Sequence, residues 1–387
     1  MTSHGKYTML IDFIRKWYKT DEFIPLHMPR FHGKDKEYVA DAIDSTFVSS
    51  VGKYVTQFEH EFAKLTGAEY AIAVVNGTTA LQAALRLAGV GKGHEVITQP
   101  LTFVATVNAI IHNGAEPVFV DVDRETMGMC PNALEQFLDE NYSRKETGVF
   151  NRATGRALTA IVPMHTFGFP CSMDKIMEIA DSWGINVVED SAEALGSEIH
   201  LKHCGTFGRM GIFSFNGNKI ITCGGGGAIV TNDKDLAVKA KHLTTTAKTE
   251  HAWDYVHDET GYNFRMPNLN AALACAQLTR FENILADKRQ LSNAYGEFFR
   301  KADYCKFVTE EDGCTSNYWL NTVITRDRKE RDELLKTTNN AGIMTRPAWQ
   351  LMTKLGMYRK CQKGDLNNAL WLRKRIVNLP SSARENV

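Results

Sequence analysis

The chain carries no excess of either charge: 45 lysines and arginines stand against 45 aspartates and glutamates. Proteins that work on nucleic acid or anionic membrane carry a basic surplus. That balance, with no recognisable helix-turn-helix, argues against nucleic acid as a partner, and any anion site has to be local. The eight cysteines, at 130, 171, 204, 223, 275, 305, 314 and 361, include no C-x-x-C pair and are too sparse for a disulfide scaffold. They read as reduced thiols of a cytoplasmic protein. No apolar run reaches the roughly 18 residues of a bilayer span, so no membrane role is expected. The N-terminal stretch MTSHGKYTMLIDFIRKWY is broken by charges and lacks a signal-peptide core, so it reads as a short amphipathic helix. Proline and glycine are modest, at 10 and 29, and neither a low-complexity tract nor a fixed-period repeat is present. The Walker loop G-x-x-x-x-G-K-[ST] and the dinucleotide fingerprint G-x-G-x-x-G are also missing. The glycines at 89, 91 and 93 precede a strand instead of following one.

What is present is ordinary globular usage, with 43% apolar and 23% charged residues. A length of 387 residues fits two domains, or one large domain with an appendage. From about residue 55 helical and strand patterns alternate. Residues 55–65 have helical spacing, YAIAVV reads as a strand, and NGTTALQAALRLAG reads as turn and helix. EVITQP, EPVFVDVD, LTAIVPMH and INVVED are further strands, with helices near 102–113 and over MDKIMEIADSWG. Strands apolar along their whole length, separated by helices, predict a mostly parallel sheet covered on both faces: an α/β fold. The pattern fades after about 230. Residues 268–300 read as one long helix, YWLNTVIT as a strand and KERDELLKTTNNAG as a helix. The expected division is a large domain, 1–255, with an N-terminal helical segment 1–23, and a smaller C-terminal α+β domain, 256–387.

In an open α/β sheet, ligands sit beyond the carboxyl ends of the strands. Gly77, Thr78 and Thr79 close a strand and open a helix, where free N–H groups, two hydroxyls and the helix dipole make an anion site without formal charge; a plain Thr N-cap is the bland alternative. Asp190 ends INVVED as a helix cap or as the partner of a buried cation. Lys219 lies in FNGNK just before four glycines. On an open loop it would be only a solvated charge, whereas held in an apolar site it becomes a nucleophilic amine. An anion site, a carboxylate and an amine, in that order along the chain, suit pyridoxal 5′-phosphate. Its phosphate, pyridinium nitrogen and aldehyde need one each. No metal-ligand cluster is expected.

Here the sequence resembles the DegT–StrS sugar aminotransferases, which are fold-type I enzymes. The matching segments are NGTTALQAAL, PLTFVATVNAI, VVEDSAEALGS, FSFNGNKIITCGGGGAIV and GYNFRMPNLNAALACAQL, in family order, and the likeness runs over roughly 24–380. The resemblance implies that Lys219 forms the Schiff base and carries catalysis, and that Asp190 pairs with the pyridinium nitrogen. Phe103 would stack on the ring, and Gly77, Thr78, Thr79 and Ser214 would hold the phosphate. It also implies a homodimer with shared sites, Asn263 reaching the cofactor of the neighbouring subunit. Core packing for Phe103 and a turn cap for Asn263 are the alternatives. One position departs from the family: where Gln is common, three residues after the Asp, this chain has Glu193. A carboxylate beside the cofactor's phenolate is repelled unless one of them is protonated. Glu193 therefore contacts the cofactor as an acid or faces the substrate. Some members carry His at the lysine position and deoxygenate sugars; this chain keeps Lys219, as transamination requires.

The segments TRPAWQLMTKLGMYRKC and RIVNLPSS are most like the branch acting on UDP-linked 4-keto-6-deoxy-2-acetamido sugars of the legionaminic-acid type. The resemblance thus implies amino transfer from L-glutamate to C4 of such a sugar. His165, Arg346 and Trp349 are candidates for the substrate side. Trp349 is otherwise core and Arg346 a surface charge. Competing expectations are a perosamine-type GDP-sugar aminotransferase, a sugar dehydratase with the same cofactor, and a regulator that binds the cofactor without turnover.

Overall fold

The structure, a computed structural model, describes residues 3–302 and 304–384. Three helices come first: α1 (Ser3–Tyr18), α2 (Asp35–Asp44) and α3 (Lys53–Thr66). The strands then follow as β1 (Tyr70–Val74), β2 (Glu95–Thr98), β3 (Glu116–Phe119), a hairpin β4 (Tyr142–Lys145) and β5 (Gly148–Asn151), β6 (Ala157–Val162) and β7 (Asn186–Asp190). A short hairpin, β8 (Glu198–Ile199) and β9 (Lys202–His203), leads to β10 (Met210–Ser214) and β11 (Gly227–Thr231). Helices α4 (Gly77–Leu87), α5 (Val104–His112), α6 (Pro131–Asn141) and α7 (Met173–Trp183) connect the strands, and α8 (Lys234–Thr244) leaves the last one.

The central sheet has the order β1-β11-β10-β7-β6-β2-β3, with the β4–β5 hairpin on the start of β6. The run β10-β7-β6-β2-β3 is parallel, and β11 is antiparallel to both its neighbours. Period-2 alternation divides each strand between two cores. Ile72, Val74, Val96, Val188, Ile212 and Ile229 pack under α4, α5 and α8. Ala73, Phe213, Ala228 and Val230 turn to the opposite face, under α3. Ile97, Ile161 and Val187 do the same further along, under α6 and α7. Burial on both faces is why these strands read as continuously apolar.

Beyond α8 come α9 (Asn268–Leu278), α10 (Phe281–Ala302), β12 (Cys305–Phe307), β13 (Cys314–Thr315), β14 (Asn321–Thr325), α11 (Arg328–Asn340), β15 (Arg346–Pro347), α12 (Asn367–Arg373) and β16 (Ile376–Leu379). The antiparallel sheet β12-β14-β16-β15 forms the C-terminal lobe, while β13 joins the β8–β9 hairpin.

Two expectations need correction. The single helix over 268–300 is two helices, parted at Thr279 and Arg280. The Thr279 hydroxyl donates to the Ala276 carbonyl, a local bond that competes with the helical ladder. The strand read in YWLNTVIT begins only at Asn321, because Tyr318 adopts positive φ. The core clusters run across residue 255. Ala271, Ala272 and Cys275 of α9 lie in the same core as Phe58 and Phe62 of α3. Tyr7, Leu10 and Ile14 of α1 pack instead with Tyr295, Phe299, Val323 and Leu379 of the C-terminal lobe. The N-terminal helix is thus sequence-distant from the lobe it completes, a pairing no local pattern reveals.

Candidate active site

One cavity of about 240 Å³ lies at the carboxyl ends of β1, β7 and β10. Gly77, Thr78, Phe103, Asp190, Glu193, Ser214, Lys219 and Trp349 all line it.

The turn after β1 opens α4 with Asn76 as N-cap, its Oδ1 accepting the Thr79 N–H at 2.9 Å. The N–H groups of Gly77 and Thr78 stand at the first helical positions and have no intrahelical acceptor. Gly77 must be glycine here, since a Cβ would lie 2.8 Å from Ser214 Cβ. Gly227 of the glycine run is bound the same way: its Cβ would meet the Asn76 carbonyl carbon at 2.5 Å. The small residues thus let β10, β11 and the helix start approach closely, and bring Ser214 beside the free N–H groups. Thr79 is different from expectation. It is not on the cavity wall, and its hydroxyl donates to the Asn76 carbonyl at 2.9 Å.

Asp190, at the end of β7, is buried; its Oδ2 accepts from the Thr106 hydroxyl at 2.7 Å and its Oδ1 from the Ala192 N–H at 3.2 Å. Burial pushes its carboxyl up, and these two bonds and the nearby Lys219 hold it back. The Lys219 side chain is only 12% exposed, with Nζ 3.3 Å from Glu193 Oε1 and 4.3 Å from the centre of the Trp319 ring. Trp319 is fixed in turn by its Nε1–H, which donates to the Asn218 carbonyl at 2.7 Å. Glu193 is almost fully buried, and its Oε2 accepts the Phe167 N–H at 2.9 Å. Burial raises this carboxyl to about 7, with the Lys219 ammonium as the main opposing influence. Phe103 is 50% exposed, its ring 6.2 Å from that of Trp349.

Three of the candidates lie elsewhere. His165 is fully buried behind the cavity: its Nε2 is 3.1 Å from Glu189 Oε2, and its Nδ1 accepts the Cys171 N–H at 3.1 Å. It is committed to the core and does not face a substrate. Arg346 is exposed, bonded to Asn339 Oδ1 at 2.9 Å, and lines an adjoining cavity. Asn263 is exposed outside the cavity, its Oδ1 accepting from Arg265 Nε at 2.9 Å.

Sequence reasoning missed Thr106 and Trp319, as well as Ile212 on the wall. Thr106 could have been found, since it sits one helical turn beyond Thr102, within the segment already singled out for Phe103. Trp319 carries no local signal. Among the described residues no His/Cys/Asp/Glu group could hold a metal ion, and no helix is long and apolar enough to cross a membrane.

The donor set fits pyridoxal 5′-phosphate: free N–H groups and hydroxyls for a phosphate at one end, a buried carboxylate for a protonated ring nitrogen, and a shielded amine for an aldehyde. Fold and cavity together define a lysine-centred α/β transferase of fold type I. The model of the DegT/DnrJ/EryC1/StrS aminotransferase family matches residues 29–385, and the chain belongs to that family. Its aminotransferases depend on pyridoxal 5′-phosphate. The chain is 38% identical over 362 residues to GDP-perosamine synthase of Escherichia coli O157:H7, covering 93% of each. It is 36% identical over 327 residues to the putative pyridoxal phosphate-dependent aminotransferase EpsN of Bacillus subtilis, covering 84% of this chain and 81% of that one. Among solved structures, the aminotransferase from Psychrobacter cryohalolentis superposes with a TM-score of 0.82 at 28% identity, over 93% of each chain.

Proposed function

We propose that the protein transfers the amino group of L-glutamate to C4 of a nucleotide-linked 4-keto-6-deoxy sugar, first of all a UDP-linked 2-acetamido sugar. The observation that carries the chemistry is the meeting of the α4 N-terminus, Asp190 and Lys219 in one cavity. When bound, the cofactor supplies an aldehyde that takes up amino groups and a ring that withdraws electrons from the carbon losing a proton. The N–H groups of Gly77 and Thr78 and the hydroxyls of Thr78 and Ser214 bind its phosphate. Asp190, steadied by Thr106, keeps the ring nitrogen protonated, and Phe103 covers a face of the ring. Lys219 Nζ would take the proton from the α-carbon of glutamate and, in the second half-reaction, deliver one to the sugar carbon. Glu193, with Oε2 anchored on the Phe167 N–H, holds its Oε1 3.3 Å from Lys219 Nζ.

The acceptor is supported by the segment 345–361, whose likeness to the UDP-sugar branch includes Arg346, Pro347 and Trp349 along the cavity next to Lys219. A second reading, a GDP-linked acceptor, is favoured by the relatives in Escherichia coli, Caulobacter vibrioides and Vibrio cholerae, all named GDP-perosamine synthase. The active unit is a homodimer with shared sites, Asn263 reaching the partner's cofactor phosphate. Exposed apolar side chains, among them Phe31, Phe47, Val51, Trp253 and Tyr255, provide surface of the kind a permanent interface covers. The test is to incubate the enzyme with glutamate and UDP- or GDP-linked 4-keto-6-deoxy sugars and to look for the amino sugar by mass. Amination of the GDP sugar alone would select the second reading. No product from either would refute the sugar acceptor.

A further inference from the structure

Beside the lysine cavity lies a second one of about 370 Å³, and the two share Asn218, Trp319 and Trp349 as a common wall. That volume falls within the range of small-ligand sites. His27 lines the second cavity, and both of its ring nitrogens are shielded from solvent with no hydrogen-bond partner among the described residues.

The backbone around His27 is clamped. Ile24 bridges Ile343, the Leu26 carbonyl accepts the Ser381 N–H at 2.8 Å, and the Met28 N–H donates to Ser382 Oγ at 2.8 Å. A side chain in so fixed a segment cannot swing out to find water at no cost. Leaving an imidazole shielded and unpaired costs free energy that an apolar side chain of the same size would avoid. The fold draws no hydrogen bond from this ring in return.

The ring centre lies 6.5 Å from that of Trp319, the same indole over which Lys219 Nζ sits at 4.3 Å. Trp319 is therefore a common neighbour of His27 and the reactive amine. Burial, with Lys288, Lys219 and Arg30 nearby, holds His27 well below its ordinary range and so neutral. A neutral imidazole offers one N–H donor and one acceptor nitrogen. That pair matches a sugar hydroxyl or an acetamido group, whereas a phosphate or carboxylate calls for a cation.

We infer that His27 is a specificity-determining residue that hydrogen-bonds a hydroxyl or amide substituent of the acceptor sugar in this second cavity, setting the sugar ring against Trp319. The inference rests on the sugar-acceptor reading above. It assigns His27 to the second half-reaction alone.

The experiment compares wild-type, His27→Phe and His27→Asn holoenzymes. Unreactive UDP-N-acetylglucosamine and GDP-mannose are titrated calorimetrically, and the glutamate-driven change in visible absorbance is timed separately. His27→Phe should bind the preferred nucleotide sugar about tenfold more weakly or worse, the scale of a lost buried hydrogen bond. His27→Asn, which keeps a donor and an acceptor, should recover part of that loss. The glutamate step should stay within about twofold in both, a result that a merely structural role would not give. Equal affinity in wild type and His27→Phe overturns the inference, as does a parallel loss in the glutamate step. Should His27→Phe fail to fold, His27→Asn and His27→Gln carry the comparison, and unchanged affinity in both overturns it. Wild-type enzyme that responds to glutamate but binds neither nucleotide sugar would overturn the acceptor reading itself, an outcome visible before any variant is made.

Discussion

Replacing Glu193 by Gln is expected to stabilise the cofactor-free enzyme in mildly alkaline solution and to do little in acid. In the unfolded chain this carboxyl titrates near 4.5; in the folded protein burial raises it to about 7, even with Lys219 Nζ at 3.3 Å. Between those values the folded state holds a proton that the unfolded state has lost. Stability is therefore highest below 4.5 and falls as pH rises, with the loss complete once pH passes about 7. One pKa unit is worth about 1.4 kcal/mol, so the full gap amounts to about 3 kcal/mol. The side chain is only 1% exposed, so solvent screening gives little discount. The amide of the Glu193→Gln variant mimics the protonated acid at every pH and escapes the loss. Unfolding entropy of about 2.1 cal/mol/K per residue gives roughly 0.8 kcal/mol/K for a chain of this length. The substitution should then raise Tm by about 4 °C at pH 8, and by about 1 °C at pH 5. The assay is differential scanning calorimetry of both proteins at the two pH values after the cofactor has been removed. Equal shifts at both would show that Glu193 does not titrate in this window. A lower Tm for the variant at pH 8 would show that the ion pair with Lys219 outweighs burial.

Lys219→Ala should abolish the absorbance response to glutamate while leaving the fold intact, and borohydride reduction of wild type should label Lys219; a label on another lysine refutes the assignment. Asp190→Asn should lower turnover by about two orders of magnitude or more. Thr106→Val removes a 2.7 Å hydrogen bond to the buried Asp190 carboxylate, and a bond to a charged group is worth about 1.5–3 kcal/mol, so turnover should fall about tenfold or more. Near-normal rates in either variant would mean that another group governs the ring. Lys219→Ala and Asn263→Ala subunits, each inactive alone, should regain activity when unfolded and refolded together, because one of the two shared sites would then carry neither defect. Verified heterodimers without recovery would refute sharing, and full activity of Asn263→Ala alone would remove the residue from the site.

The sequence by itself determined the mostly parallel α/β sheet, because strands buried on both faces lose the polar alternation of half-exposed ones, as in YAIAVV. It also marked most of the cavity. Gly77, Asp190 and Lys219 stand at strand ends and in loops of unusual composition, and each is marked by its local setting: a glycine opening a helix after a strand, a carboxylate closing an apolar strand, an amine in a glycine-flanked turn. Tertiary structure decided what depends on contacts between segments far apart in the chain. The N-terminal helix completes the C-terminal lobe and α9 the large core, although neither local periodicity names its partner. His165 turned inward because Glu189, three backbone N–H groups and Cys171 already engage that corner. Trp319, far beyond Lys219 along the chain, meets it only because the C-terminal lobe folds back over the sheet. Burial set the charge state of Glu193, and burial is a property of the whole fold that no single residue carries.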